Sequence, residues 1–168
     1  VYSKYKINSL NMLYNVNQKP FAQIIELDIS DKKVQMVNAH LASPAIAIEN
    51  KENFLSLYTE NYKTRKSQLQ KINHFVNESS DKYNCQLLVG DLNTTKYEPI
   101  YKSLKWHWAN THEKSGKDFG FSFPHTNKIR PFITLDYILV KGNVRCVNSE
   151  VISGGSSDHL AVSSTIKI

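Results

Sequence analysis

Apolar and polar residues alternate most clearly in two stretches joined by a polar turn. In residues 21–29, Ile25, Leu27 and Ile29 share one face, and Glu26 and Asp28 share the other. That is the period of a strand. Ser30-Asp31-Lys32-Lys33 reads as a turn and residues 34–41 as a second strand, so the pair predicts a β-hairpin. The second strand ends with Val37 and Ala39 on one face and Asn38 and His40 on the other. Residues 43–64 show no clear period and read as a loop with a short helix near Phe54, Leu57 and Tyr58. From 63 to 77 the spacing changes. Leu69, Ile72, Phe75 and Val76 recur at helical intervals and predict an amphipathic helix, whose Lys63-Thr64-Arg65-Lys66 start reads as solvated.

Leu87, Leu88 and Val89 form a short apolar run after Gln86, closed by Gly90, which predicts a strand buried on both faces. A helix followed by a buried strand is the alternation of a layered α/β domain. Residues 98–104 suit a short helix with Pro99 in its first turn. Residues 105–120 read as a polar loop in which Trp106 and Trp108 pack inward. Its His107 and His112 have no carboxylate or Cys at metal-ligand spacing. Residues 119–124, 134–140 and 144–152 predict three further strands. The loop 153–157 delivers Asp158-His159, and Leu160, Val162, Ser164, Ile166 and Ile168 alternate as a closing strand.

With 168 residues, the chain is large enough for one domain with its own core. At 40% hydrophobic and 21% charged, its composition is that of a folded domain and not of a disordered segment. No apolar run approaches the length of a membrane helix, so no membrane span is expected in this chain. A start at Val1, without an apolar leader, is expected of a processed, trimmed or partial product. A net charge of +6 and a pI near 9.2 favour polyanionic partners: nucleic acid, phosphorylated small molecules or an anionic membrane surface. Cys85 and Cys146 cannot form a disulfide framework, and Cys85 reads as a buried thiol.

The candidate chemistry lies at strand ends. Asp91 and Asn93 follow the Gly90 break two residues apart. A strand end with an Asp/Asn turn accounts for them as well as a site does. Asp136 is stranger, because it sits inside an apolar run where a carboxylate needs a cation, a metal or a hydrogen-bonded His. Asn38 with His40, and Asp158 with His159, complete the set. Were these four places to share one sheet edge, they would supply what metal-assisted phosphoester hydrolysis needs: a His as acid or base, an Asp to orient it, an Asp for water or metal, and an Asn for a phosphate oxygen.

Four segments in order resemble motifs of the endonuclease/exonuclease/phosphatase superfamily, whose fold is deoxyribonuclease-I-like. Gly90-Asp91-Leu92-Asn93 is similar to its Gly-Asp-Phe-Asn motif, with Leu92 in place of Phe. Leu135-Asp136-Tyr137-Ile138 looks like its Ile-Asp-Tyr-Ile strand, Ser157-Asp158-His159 like its Ser-Asp-His signature, and Asn38-Ala39-His40-Leu41 like its Asn-x-His-Leu strand. Residues 119–140 look most like the subgroup from Bacteroidetes-type bacteria, whose members often carry N-terminal membrane helices, which would imply a membrane-anchored bacterial parent.

The resemblance implies an α/β (α+β) fold, a partial four-layer β-sandwich with flanking helices. It implies a Mg²⁺- or Mn²⁺-dependent phosphoester hydrolase: a phosphodiesterase, nuclease or phosphatase. His159 would be the general base or the group beside the pentacovalent phosphorus, oriented by Asp136. Asp91 would position water, Asn93 would bind the scissile phosphate, and His40 would contact phosphate or protonate the leaving oxygen. Asp91, Asn93 and Asp158 would surround the metal. Substrate choice would fall to loops 43–64 and 105–117.

Two departures stand out. Thr134 replaces a polar residue, often Arg, two positions before Asp136. The family's early Gln-Glu motif, with its principal metal ligand, is not found in these residues, and Val1–Ile7 resembles a mid-domain segment. Residues 1–168 are therefore expected to be a single domain, the C-terminal portion of the family fold without its N-terminal strands. On its own it would be weakly active or inactive, and could pair with the N-terminal portion or with itself. The alternatives are a non-catalytic interaction module and a degenerate structural domain.

Overall fold

A computed structural model describes residues 1–44, 51–126 and 128–168. The described residues build eight strands and three α-helices. Strands β1 (Ile7–Tyr14), β2 (Pro20–Ile29) and β3 (Lys32–His40) form an antiparallel meander. Helix α1 (Phe54–Glu78) then crosses over to β4 (Cys85–Asp91), which runs parallel to β3. Helix α2 (Pro99–Leu104), the two-residue β5 (Ala109–Asn110) and helix α3 (Thr111–Ser115) lead to β6 (Asp136–Gly142), antiparallel to β4. The six-stranded sheet has the order β1-β2-β3-β4-β6-β5, and β7 (Arg145–Ile152) pairs with β8 (Ala161–Lys167) as a separate two-stranded sheet.

The alternation foreseen in the hairpin decides the layers. Ala22 and Ile24 on β2, Val37 and Ala39 on β3, Leu88 on β4 and Leu139 on β6 face the helices, where Leu69, Ile72 and Val76 of α1 cover them. Ile25, Leu27, Val34 and Cys85 face the other way, against Val144, Ile166 and Ile168 at and beside the small sheet. Helices, large sheet and small sheet thus form a mixed α/β sandwich. Both faces of β4 are covered, as its apolar run required. Gln35 and Gln86 are buried on the helix side without being orphaned. Gln86 Nε2 donates to Gln35 Oε1 (2.8 Å) and to the Val76 carbonyl (2.9 Å), and Gln35 Nε2 donates to Ser79 Oγ (3.2 Å). This polar ladder ties the C-terminal end of α1 to the sheet.

Several expectations are corrected. The short helix near Phe54 and the helix over 63–77 are one element of 25 residues, so much of 43–64 is helix and not loop; residues 45–50 of that stretch lie outside those described. Arg65 is not solvated: it is fully buried. Residues 105–120 contain β5 and α3. Trp108 packs, with Nε1 donating to Asn73 Oδ1 (3.1 Å), but Trp106 is 84% exposed. Residues 119–124 form no strand, only a single bridge between Phe123 and Ile133. Strand β1 went unforeseen because register shifts near both its ends break the alternation.

Candidate active site

The register of three neighbouring strands puts His40, Asp91 and Asp136 in one row. His40 pairs with Asp91 across β3 and β4, and Asp91 pairs with Asp136 across β4 and β6. The parallel crossover makes β3 and β4 end at the same edge, and antiparallel β6 begins there. Gly90 makes this close approach feasible. It pairs with Ala39 at φ 121°, and a Cβ there would lie 2.1 Å from the Ala39 carbonyl oxygen. The glycine of the motif is therefore demanded by backbone proximity.

Past Asp91 the chain turns sharply. Asn93 adopts a left-handed conformation, φ 47°, which Asn tolerates better than most residues. Its backbone N–H donates to Asp91 Oδ1 (2.8 Å), and its Nδ2 donates to Asp91 Oδ2 (3.0 Å) and to the Leu41 carbonyl (3.0 Å). Both oxygens of Asp91 are thus held by one neighbour. Leu92 points the other way and is fully buried in the helix-side core. His40 is mostly exposed, with Nε2 3.6 Å from Asp91 Oδ2. Burial lifts the Asp91 carboxyl above its ordinary value. The Asn93 N–H, His159 and His40 pull it back, while Asp136 adds to the rise.

His159 reaches the row from the β7–β8 connection. Its Nδ1 lies 2.7 Å from Asp136 Oδ2, and its ring packs against Phe123 with centroids 4.7 Å apart. Burial alone would lower the His159 pKa. The hydrogen bond and charge of Asp136, with Asp91 and Asp158, outweigh burial and hold it above the ordinary value. The 157–160 segment is sewn to its neighbour: His125 N–H donates to the Asp158 carbonyl (2.6 Å) and Leu160 N–H to the Ser122 carbonyl (2.8 Å). Buried Ser122 also accepts the N–H groups of Leu135 and Asp136 at its Oγ, both at 3.2 Å. Thr134, the departure noted in the sequence, donates to the Gly120 carbonyl (2.6 Å).

All the nominated residues, His40, Asp91, Asn93, Asp136, Asp158 and His159, line one cleft of about 640 Å³. Ligand atoms of Asp91, Asp136 and His159 lie within 4.8 Å of one another. Asp158 is exposed at the rim, and the Asn93 amide nitrogen is engaged by Asp91 and Leu41. The Asp91 and Asp136 carboxylates offer hard oxygen donors of the kind a divalent cation takes. The donor set therefore fits a divalent cation. Unforeseen in the lining are Arg65, Glu98, Tyr58 and Phe123. Arg65 lies four residues before Leu69 and seven before Ile72, on the apolar stripe of α1, and this spacing was the available signal.

The sequence profile of the Endonuclease/Exonuclease/phosphatase family matches residues 1–159. The chain belongs to this family. No curated protein matches the chain. Among solved structures, an endonuclease/exonuclease/phosphatase family protein from Leptotrichia buccalis is 18% identical with a TM-score of 0.70, covering 98% of this chain and 63% of its own. The endonuclease/exonuclease/phosphatase from Bacteroides vulgatus is 13% identical with a TM-score of 0.74, covering 98% of this chain and 67% of its own. D. rerio TDP2, complexed with a single-strand DNA product, is 15% identical with a TM-score of 0.69, covering 97% and 68%. The chain thus spans less than two thirds of the Leptotrichia protein's length. At these identities the likeness speaks for the fold, that of the endonuclease/exonuclease/phosphatase family.

Proposed function

We propose that the chain carries the His–Asp half of a metal-dependent phosphoester hydrolase. The observation that supports this best is the Asp136–His159 pair, 2.7 Å apart, beside the Asp91 carboxylate in one cleft. Asp136 occupies Nδ1, so Nε2 is the nitrogen left for proton transfer. A raised pKa makes the imidazolium a stable state. That suits a group which takes a proton from attacking water or rests, charged, beside phosphorus. Asp91 orients water or a cation, with its two oxygens aimed by Asn93. Exposed His40 contacts a phosphate oxygen or protonates the leaving group.

Asp91 would hold Mg²⁺ or Mn²⁺, with Asp136 beside it and Asn93 or Asp158 as further oxygen donors. The bound ion would neutralise charge on the phosphate. The basic balance of the chain, +6, favours a nucleic acid or a phosphorylated small molecule as substrate. Turnover by this chain alone is expected to be slow, because the Gln-Glu motif that the family resemblance associates with the metal is not among its residues.

The test is hydrolysis of a labelled single-stranded DNA and of bis(p-nitrophenyl) phosphate with Mg²⁺ or Mn²⁺, alongside calorimetric Mn²⁺ binding. Slow, chelator-sensitive turnover lost in His159→Ala, with Mn²⁺ binding lost in Asp91→Ala, is the expected result. Hydrolysis that persists in both variants would overturn the reading.

A further inference from the structure

Among the described residues Arg65 is the only charged one that is buried, and its side chain is fully so. Its partners lie on the far side of the turn that follows β4. Nη1 donates to the Asn93 carbonyl (2.5 Å) and Nη2 to Glu98 Oε2 (2.9 Å), while Glu98 Oε1 accepts the Thr95 N–H (3.0 Å). Arg65 and Glu98 therefore grip the turn at both ends, at Asn93 and at Thr95. Arg65 Nε has no hydrogen-bond partner among the described residues. Burying an incompletely bonded guanidinium is costly, and a buried ion pair is often no more stable than apolar residues of the same volume. Packing alone gives no reason for the pair.

What the pair does hold is a strained backbone. Asn93 sits at φ 47°, and in that conformation its N–H and Nδ2 both reach the Asp91 carboxylate. A non-glycine residue in the left-handed region persists only where its surroundings over-determine it. The Arg65 Nη1 hydrogen bond to the Asn93 carbonyl is one such constraint, and the Nδ2 bond to the Leu41 carbonyl is another.

We propose that Arg65, braced by Glu98, is a positioning residue that locks the Asn93 turn and thereby fixes the orientation of the Asp91 carboxylate. For its catalytic consequence the proposal rests on the reading of Asp91 as a working carboxylate; the geometric claim stands apart from it. Arg65 acts at one remove, through Asn93.

Two variants test it. Arg65→Lys keeps the charge and removes the fork. The double variant Arg65→Gln/Glu98→Gln removes both charges and strands neither, which protects the fold. The first readout is amide hydrogen exchange. The Asn93 N–H should exchange at least about tenfold faster in both variants, while Ile25 and Val37 in the central sheet stay protected. The second is kinetic: kcat should fall about tenfold with KM unchanged, and adding Asn93→Ala should cause little further loss, because residues acting as one unit are not additive. Unchanged exchange at Asn93, exchange rising equally at Asn93, Ile25 and Val37, or full additivity in kcat would each overturn it. Should the unmutated chain show neither turnover nor Mn²⁺ binding, the functional reading fails, and the exchange result alone decides the positioning claim.

Discussion

Asp136 Oδ2 lies 2.7 Å from His159 Nδ1 across 23 residues of sequence. The contact joins the first residue of β6 to the loop before β8. A pH dependence follows. His159 has a raised folded-state pKa, so its contribution to stability is fully present below the unfolded value of about 6.5. The contribution is lost as pH rises through the higher folded value. Asp136→Asn removes the main cause of the rise. The variant should therefore be destabilised more at mildly acidic pH than at mildly alkaline pH. Urea unfolding across that window, with an NMR titration of the His159 ring, checks this; an equal loss of stability at every pH would contradict it.

Gly90→Ala should be among the most damaging small substitutions in the chain. The added Cβ would meet the Ala39 carbonyl oxygen at 2.1 Å from a backbone at φ 121°. It would drive β3 away from β4 at the His40–Asp91 pair. A cost of about 3 kcal/mol or more is expected, read as a lower urea midpoint together with loss of any Mn²⁺ binding.

The two tryptophans should part company. Trp108 is 4% exposed and bonded to Asn73, so Trp108→Ala should cost about 3–5 kcal/mol. Trp106 is 84% exposed, and Trp106→Ala should leave stability within about 0.5 kcal/mol of the unmutated chain. Thermal melts of the two variants distinguish them directly.

Leu92 fills the place where the family resemblance sets Phe. It is fully buried in the helix-side core. Leu92→Phe should therefore overpack, at a cost of about 1–3 kcal/mol. A variant as stable as the parent by urea denaturation would mean that the helix layer yields to accommodate the ring.

The hairpin, the buried β4 and the layered α/β class were legible because burial imposes a period on the sequence. Ile25 and Leu27 alternate for that reason, and Leu87, Leu88 and Val89 run together because both faces of β4 are covered. Helix α1 was half legible. Its apolar stripe from Leu69 onward has the helical period, but its first turns cover little core, so the short helix read near Phe54, Leu57 and Tyr58 showed no stripe continuous with it. Residues 119–124 misled in the opposite sense: their aromatics suggest a strand, yet the backbone there bonds mainly to Ile133 and Leu160, as a loop that braces His159.

The sequence by itself determined which groups could do chemistry: Asp136 was conspicuous because a carboxylate inside an apolar run needs a partner. Which partner it has, and that His40, Asp91 and Asp136 stand in one row, depended on strand order and register. Those are set by long-range pairing, which local periodicity does not encode. Arg65 marks the same limit: within a basic run its charge reads as solvated, and only the docking of α1 against the Asn93 turn buries it beside Glu98.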